Sequence, residues 1–386
     1  METLSESDRE RFSRHLRLPG FGAEHQQCLK QASVLLIGVG GLGSPSALYL
    51  AAAGVGTIGI AEFDRIERHN LQRQVLFEDA SVGLSKAEVA RERLLSLYPD
   101  IQVQLHREGL QPANALQVVS GYDVVVDGSD NFGTRYLVND ASFLAGVPLV
   151  SGSVFQTEGQ VMVLNAGHAS PCYRCLFPEP PEPGTVPGCN EAGVVGALCG
   201  VVGSLQAMEV IKLITGLGQS LAGSILKLDV FGNRFATIRL PKDANCPLCS
   251  KTSRIQDLHS ETYWVPCGHD MNTTSEPAST DLPIEVDVVR AKTLCDQGLA
   301  YFLDIREPEE ASICQIEGSQ FIPMGNIPAQ LASLPRDRAL VVYCHHGFRS
   351  LQVVQFLRSR GLQSCTSMKG GIEAWAERWE PGMERY

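Results

Sequence analysis

Ser33 to Ile37, SVLLI, is a short apolar run rich in branched side chains, and it stops at six residues of which four are glycine, GVGGLG from Gly38 to Gly43. The next stretch, SPSALYLAAAG, carries helix-forming residues as far as Gly54. A strand, a glycine turn and a helix in that order open a βαβ unit, and such a unit commits the chain to a parallel sheet with helices packed on it. Further strands are read at TIGIAEF running into Asp64, at DVVVD from Asp123 to Asp127, and at PLVSGS from Pro148. The segment between the last two holds GSDN and a helical stretch through Phe143. Strands alternating with helices predict an α/β fold with a mostly parallel, Rossmann-like sheet.

The pattern changes after Ser153. QTEGQVMVLN reads as an alternating strand, and FPEPPEPGTVPG reads as a surface loop, because closely spaced prolines exclude a helix. A helix is predicted from Gly193 to Thr215, then two strands in SILKLDVFGNRFATIRL. Residues 251–281 are polar and rich in Ser, Thr and Pro, as expected of a linker. A second α/β pattern begins at Leu282, with strands in AYFLDIR and ALVVYC and a helix from Ser350 to Arg360. The expected division is therefore a first domain at 1–250, a linker at 251–281 and a smaller α/β domain at 282–386. A chain of 386 residues has room for two or three domains at roughly 150 residues each.

A net charge of −11 with no block of Lys or Arg argues against nucleic acid or an anionic membrane as a partner. No run of eighteen uncharged apolar residues is present, and METLSESDRERFSRHLRL lacks the apolar stretch of a secretory signal, so a cytoplasmic setting is expected. Twelve cysteines in a reducing compartment point to metal ligands or reactive thiols before disulfides.

Chemistry is concentrated in four places. Gly38, Gly40, Gly41 and Gly43 let backbone approach phosphates at a helix N-terminus, and Glu62 stands 19 residues beyond Gly43, near the spacing of a ribose-binding acid. Those features fit NAD and ATP equally. Asn70, Arg73 and Gln74 in HNLQRQ, followed by Lys86, separate the two. A dehydrogenase needs no cations there, whereas an enzyme cleaving ATP needs them on the α-phosphate and the departing pyrophosphate. Asp130 in GSDN falls at the carboxyl end of a strand, a place to hold Mg²⁺. Cys172-x-x-Cys175 and Cys246-x-x-Cys249, 70 residues apart, are the ligand set of a structural Zn²⁺ site closed by four thiolates. In YCHHGFRS, Cys344 follows a strand and precedes a helix; its loop amides, the helix N-terminus and Arg349 are expected to favour a thiolate or persulfide anion. Cys189, beyond the proline-rich stretch, is a candidate reactive thiol, while most other cysteines read as small apolar fillers. His345 and His346 either shape the Cys344 loop or face solvent.

GVGGLG, the acidic strand end, HNLQRQ, Lys86, GSDN, the two C-x-x-C pairs and EAGVVGALCGVVGSLQAMEVIK together resemble the MoeB/ThiF superfamily of ubiquitin-activating-like adenylyltransferases over roughly residues 10–250. LDIREPEE, YCHHGFRS and KGGIEAW make residues 282–386 similar to a rhodanese domain, the layout of MoeB-rhodanese fusion enzymes. The resemblance implies that ATP and Mg²⁺ adenylate the C-terminal glycine of a small ubiquitin-like sulfur carrier ending in Gly-Gly, and that a persulfide then displaces AMP on the way to a thiocarboxylate. It places Gly41, Arg73 and Lys86 at the phosphates, Glu62 at the ribose, Asp130 on Mg²⁺ and Cys344 as persulfide carrier. Arg14 matches an arginine donated across a homodimer interface. The sulfur donor is expected to be a cysteine-desulfurase persulfide or thiosulfate, and the pathway molybdopterin or another sulfur-containing cofactor or metabolite. Two departures stand out. The family usually has Asp where this chain has Glu62, and its rhodanese His-Ile-Pro-Gly-Ala segment is QIEGS here. The competing readings are an adenylyltransferase whose second domain only docks partners, and a non-catalytic scaffold that binds carrier and nucleotide.

Overall fold

The structure, a computed structural model, describes residues 4–167, 169–180, 193–258, 263, 282–336 and 338–386. The described residues up to 263 form one compact unit and those from 282 another.

In the first unit, β1 (Ser33–Ile37), β2 (Thr57–Ala61), β3 (Gln102–His106), β4 (Val124–Asp127), β5 (Leu149–Phe155), β6 (Glu158–Leu164), β7 (Ser224–Asp229) and β8 (Arg234–Arg239) form one sheet in the order β3-β2-β1-β4-β5-β6-β7-β8. Pairing is parallel from β3 to β5 and antiparallel from β5 to β8. Alternate residues of β1 serve opposite faces, as strand geometry requires. Val34 and Leu36 join Ile58, Ile60 and Val126 in one core, while Leu35 and Ile37 join Val125, Leu137 and Val138 in the other. A central strand buried on both faces reads as a continuous apolar run, which is why SVLLI was legible. β3 was not. Its sequence, QVQLH, is polar and half exposed, being the edge strand.

β2 ends at Ala61, short of the predicted Phe63. The Glu62 carboxylate accepts the backbone N–H groups of Phe63 and Asp64, turning the chain out of the ladder. The helix predicted from Gly193 begins at Gly196, after Val194 bridges to Gln156. This helix, Gly196–Thr215, has the length and apolar composition to cross a membrane. Here it is a core helix. Leu198, Val202 and Val210 pack with Val150, Val154, Val161 and Val163 of the sheet, and Gln206 donates to the carbonyls of Asp127 and Val150.

The second unit is a five-stranded parallel sheet, β11-β10-β12-β13-β9, made of β9 (Glu285–Val286), β10 (Ala300–Asp304), β11 (Gln320–Phe321), β12 (Ala339–Tyr343) and β13 (Cys365–Met368). β10 and β12 match the sequence reading; β9 and β11 have two residues each and carry no periodic signal. The helix expected from Ser350 begins at Phe348, because Gly347 turns the chain at φ +96°. QIEGS is ordered: the Ile316 N–H and the Ser319 hydroxyl both meet the Tyr343 hydroxyl.

Candidate functional sites

The carboxyl ends of β1, β2 and β4 open on a cavity lined by Gly38, Gly40, Gly41, Glu62, Asp64, Arg73, Gln74, Lys86, Ser129, Asp130, Arg135 and Cys199, among others. Its floor depends on close backbone approach at Gly43, where a Cβ would lie 2.0 Å from the Gly38 carbonyl oxygen. Gly43 thus shapes the loop without lining the cavity. At Gly41 a Cβ would crowd the Cys199 sulfur at 3.2 Å and the Arg73 side chain at 3.5 Å, so the glycine keeps room between them.

The Glu62 carboxylate takes three backbone donors, Val39, Phe63 and Asp64, which ties the glycine loop to the end of β2. Its Oε2 accepts only one of these, leaving acceptor capacity on that atom. Burial pushes the Glu62 carboxyl up despite the attraction of Lys86. Lys86 is buried as well, yet Glu62 and Asp64 outweigh that burial and hold its ammonium above the usual range. Nζ of Lys86 lies 2.9 Å from Oδ2 of Asp64. A buried ammonium among two carboxylates is a charge fixed in place before any ligand arrives.

Arg73 lines the cavity and donates to the His69 carbonyl at 3.1 Å. Oε1 of Gln74 is buried with no hydrogen-bond partner among the described residues, an acceptor poised for a ligand N–H or O–H. Asp130 is exposed at the cavity rim. Asn70 lies apart from the cavity lining. Its Oδ1 accepts the Glu67 N–H and closes the turn that presents Arg73 and Gln74. Arg14 is exposed and does not line the cavity.

The sequence reading missed Asp64, Asp127 and Arg135. Asp127 is fully buried at the end of β4, accepts from the Ser129 and Ser151 hydroxyls, and lies 3.5 Å from Nε of Arg135. The available signal was an aspartate closing an otherwise all-valine strand.

The four cysteines of the two C-x-x-C pairs converge, with sulfur separations of 3.4 Å for Cys172–Cys246, 3.3 Å for Cys175–Cys249 and 3.9 Å for Cys172–Cys175. All four sulfurs lie within 4.8 Å of one another. A tetrahedral ion with Zn–S bonds near 2.3 Å sets its sulfurs about 3.8 Å apart, so the cluster fits such an ion. None of the four is in a disulfide. Around the first pair, the Asp140 carboxylate holds Arg174 through Nε and Nη2 and accepts the Tyr263 hydroxyl, while Oδ1 of Asn139 accepts the Tyr173 N–H. Asn139 and Asp140 belong to helix Phe132–Ala145, which also carries Thr134 and Arg135 at the cavity. One helix therefore supports both sites.

In the second unit, Cys344 sits buried where β12 gives way to helix Phe348–Ser359. Its sulfur accepts the Gly347 N–H at 3.1 Å and the Ser350 N–H at 3.4 Å. The loop is braced by Gly371, where a Cβ would lie 2.3 Å from the Cys344 carbonyl oxygen, and by the Ile372 N–H bonded to that oxygen. His345 and His346 stack at 3.9 Å, and His345 packs on Tyr386 at 4.3 Å, so the first of the two histidines shapes the loop. Burial and the neighbouring His346 push the His345 imidazole down.

Arg349 is engaged elsewhere in the fold as well. Its guanidinium forms a two-pronged ion pair with Glu310 at 2.6 Å on each side, while the sulfur accepts from backbone amides. Cys189, the other candidate thiol, lies outside the described residues.

The ThiF family matches residues 12–248 and the rhodanese-like domain matches residues 287–378. The chain belongs to the ThiF family and carries a rhodanese-like domain behind it. Along its whole length it is similar to the probable adenylyltransferase/sulfurtransferase MoeZ of Mycobacterium tuberculosis strain H37Rv, with 43% identity over 391 residues covering 99% of this chain and 96% of that protein. The adenylyltransferase and sulfurtransferase MOCS3 of Drosophila grimshawi is 40% identical over 395 residues, covering 100% of this chain and 88% of that protein. Among solved structures, Escherichia coli MccB with ATP superposes at a TM-score of 0.56 and 25% identity, covering 64% of this chain and 76% of that one.

Proposed function

We propose that this chain uses ATP to adenylate the C-terminal glycine of a ubiquitin-like sulfur-carrier protein ending in Gly-Gly, and then converts that carboxyl to a thiocarboxylate with sulfur held on Cys344. Adenylyl transfer belongs to the first unit and sulfur transfer to the second. The reading rests above all on the buried Lys86 ammonium held between Glu62 and Asp64 beside the glycine loop.

A carboxylate is a poor acyl donor until its oxygen is bonded to a better leaving group. The carrier's terminal carboxylate attacks the α-phosphorus of ATP, the bond to pyrophosphate breaks, and an acyl adenylate remains. Lys86 and Arg73 meet the charge that builds on the α-phosphate and the departing pyrophosphate. Gly38, Gly40 and Gly41 give the phosphates their backbone approach, and the remaining lone pair on Oε2 of Glu62 serves the ribose. The extra methylene of Glu62 over the usual Asp is absorbed by its three backbone bonds. Asp130, exposed at the rim, would hold Mg²⁺, which would supply charge neutralisation on the phosphates. Cys172, Cys175, Cys246 and Cys249 would hold a structural Zn²⁺ through four thiolates, a role in support of the fold.

A persulfide on Cys344 then attacks the acyl carbon through its outer sulfur, and AMP leaves. The resulting acyl disulfide is opened by the Cys189 thiolate attacking the Cys344 sulfur; the thiocarboxylate leaves with the electron pair, and the Cys344–Cys189 disulfide is returned to two thiols by an external dithiol, which is itself oxidised to a disulfide. The carrier and a persulfide or thiosulfate donor are the partners, and Arg14 completes the first site of a neighbouring copy in a homodimer. Synthesis of molybdopterin or another sulfur-containing cofactor or metabolite is the setting, in the cytoplasm. The domain limits 1–250 and 282–386, joined by 251–281, are retained in this reading.

The test is ATP–pyrophosphate exchange that requires a Gly-Gly-ended carrier and Mg²⁺. Lys86→Ala and Asp130→Ala should each lower exchange by about 10²-fold or more while circular dichroism stays that of the wild type. Full exchange in either variant contradicts the assignment.

A further inference from the structure

The Cys344 loop carries one guanidinium of its own, and the structure shows what that group does. Nη1 and Nη2 of Arg349 each lie 2.6 Å from an oxygen of Glu310, with the two side chains only 16% and 21% exposed. The same carboxylate accepts the Glu307 N–H at 2.9 Å and the Tyr386 hydroxyl at 3.1 Å. Tyr386 accepts in turn from Arg306, whose guanidinium is paired with Asp304. Arg349 and Arg306 are thus each matched to a carboxylate. Burial opposes the charge on Glu310, but Arg349 and the Glu307 N–H overcome it and hold the carboxyl at about 2, so the pair persists throughout the neutral range. Burial and the neighbouring His346 push the His345 ring down against the pull of Glu373, which disfavours its charged form.

What remains around the sulfur is a ring of neutral dipoles, the N–H groups of Gly347 and Ser350 at the start of a twelve-residue helix. Such a ring supports one negative charge on sulfur. A donor that brings two negative charges, as thiosulfate does, needs a cation at the mouth to offset repulsion from the Cys344 thiolate. The loop's own cation is neutralised by Glu310.

We propose that Glu310 determines the sulfur-donor specificity of this unit: by neutralising Arg349 it favours a monoanionic alkyl persulfide over dianionic thiosulfate. The inference rests on the reading of Cys344 as the sulfur acceptor. With a persulfide donor, the Cys344 thiolate attacks the outer sulfur, the donor S–S bond breaks, and the donor thiolate leaves with the electron pair and takes up a proton. With thiosulfate, the thiolate attacks the outer sulfur in the same way, and sulfite leaves with the electron pair. Both routes give the same Cys344 persulfide with no external oxidant or reductant. The donors differ in charge, and Glu310 acts on that difference through Arg349 as a positioning residue.

The experiment uses the full chain with cysteine persulfide and sodium thiosulfate as alternative donors, reading Cys344 persulfide by mass spectrometry and steady-state transfer to cyanide. In the wild type, persulfuration by cysteine persulfide should exceed that by thiosulfate at equal concentration by about tenfold. Glu310→Gln should lower the KM for thiosulfate about five- to tenfold and make it rise with added salt, as expected of a newly unmasked cation. Its kcat/KM for cysteine persulfide should move less than about twofold, a split that general loosening of the loop would not produce. Equal changes for both donors, or an unchanged thiosulfate KM, overturn the proposal. So does a wild type that prefers thiosulfate, a result readable even if the variant fails to fold. A wild type that takes sulfur from neither donor overturns the reading of Cys344 itself, and the proposal with it.

Discussion

The glycine loop of the first unit and the Cys344 loop of the second occupy the same place in their sheets. Each leaves the carboxyl end of a central parallel strand, turns through glycine and enters a helix. They use that place in opposite ways. Gly38 to Gly43 withdraws side chains to leave an open cavity, and the buried charges Glu62, Lys86 and Arg135 stand in its walls. Cys344 to Ser350 closes on a single sulfur atom and surrounds it with neutral N–H groups. A strand-to-helix junction supplies only the orientation of amides and a helix dipole. Whether it cradles a polyphosphate or one sulfur anion depends on what lines it. Displacing pyrophosphate builds charge over many oxygens and calls for fixed cations, whereas holding a persulfide calls for donors at one atom.

The largest expected effect that separates the two regions is metal loss. Cys246→Ser, or prolonged chelation, should remove about one equivalent of zinc per chain and lower the unfolding temperature of the first unit by roughly ten degrees or more. Transfer of sulfur to cyanide by the second unit should be unaffected. Differential scanning calorimetry with metal analysis reads both, and a shared drop in both activities would erase the distinction between the units.

A smaller contrast lies within the glycine loop. Gly43→Ala drives a methyl into the Gly38 carbonyl and should destabilise the first unit by about 2–4 kcal/mol, the range of severe overpacking. At Gly40 the nearest atom to a new Cβ is Nε2 of Gln74 at 3.5 Å, so Gly40→Ala should fold within about 1 kcal/mol of wild type. It should nevertheless weaken nucleotide binding several-fold, because the methyl occupies space beside the phosphates. Urea titrations and nucleotide binding isotherms check the pair. Equal destabilisation by both substitutions would mean that the glycines serve packing alone.

Much of this was legible from the chain, for reasons that differ by region. β1 and β4 announced themselves because strands buried on both faces are uninterruptedly apolar, and the C-x-x-C pairs because metal ligation imposes a spacing. β3 stayed hidden as a polar edge strand, and β9 and β11 as two-residue pairings held by their neighbours. Within the sites, residue type was readable and partnership was not. Arg349 looked like a ligand for sulfur because it is six positions into the Cys344 loop; Glu310, which takes it, is 39 residues away and adjacent only through the fold. Asp127 and Arg135 were missed for the same reason, since their pairing depends on β4 and the helix after it folding back on one another. Cys199, read as a filler, lies against Gly41 at the cavity wall.

The central claim is that one chain activates a carboxyl in its first unit and delivers sulfur from its second. It is tested most directly by incubating Cys344→Ala with ATP, Mg²⁺, a Gly-Gly-ended carrier and cysteine persulfide, and following both pyrophosphate exchange and the mass of the carrier's C-terminus. The account predicts wild-type exchange and accumulation of the acyl adenylate, with thiocarboxylate reduced by at least about 10²-fold. Thiocarboxylate formed at the wild-type rate by this variant would contradict it, leaving the second unit a docking module and the sulfur chemistry elsewhere.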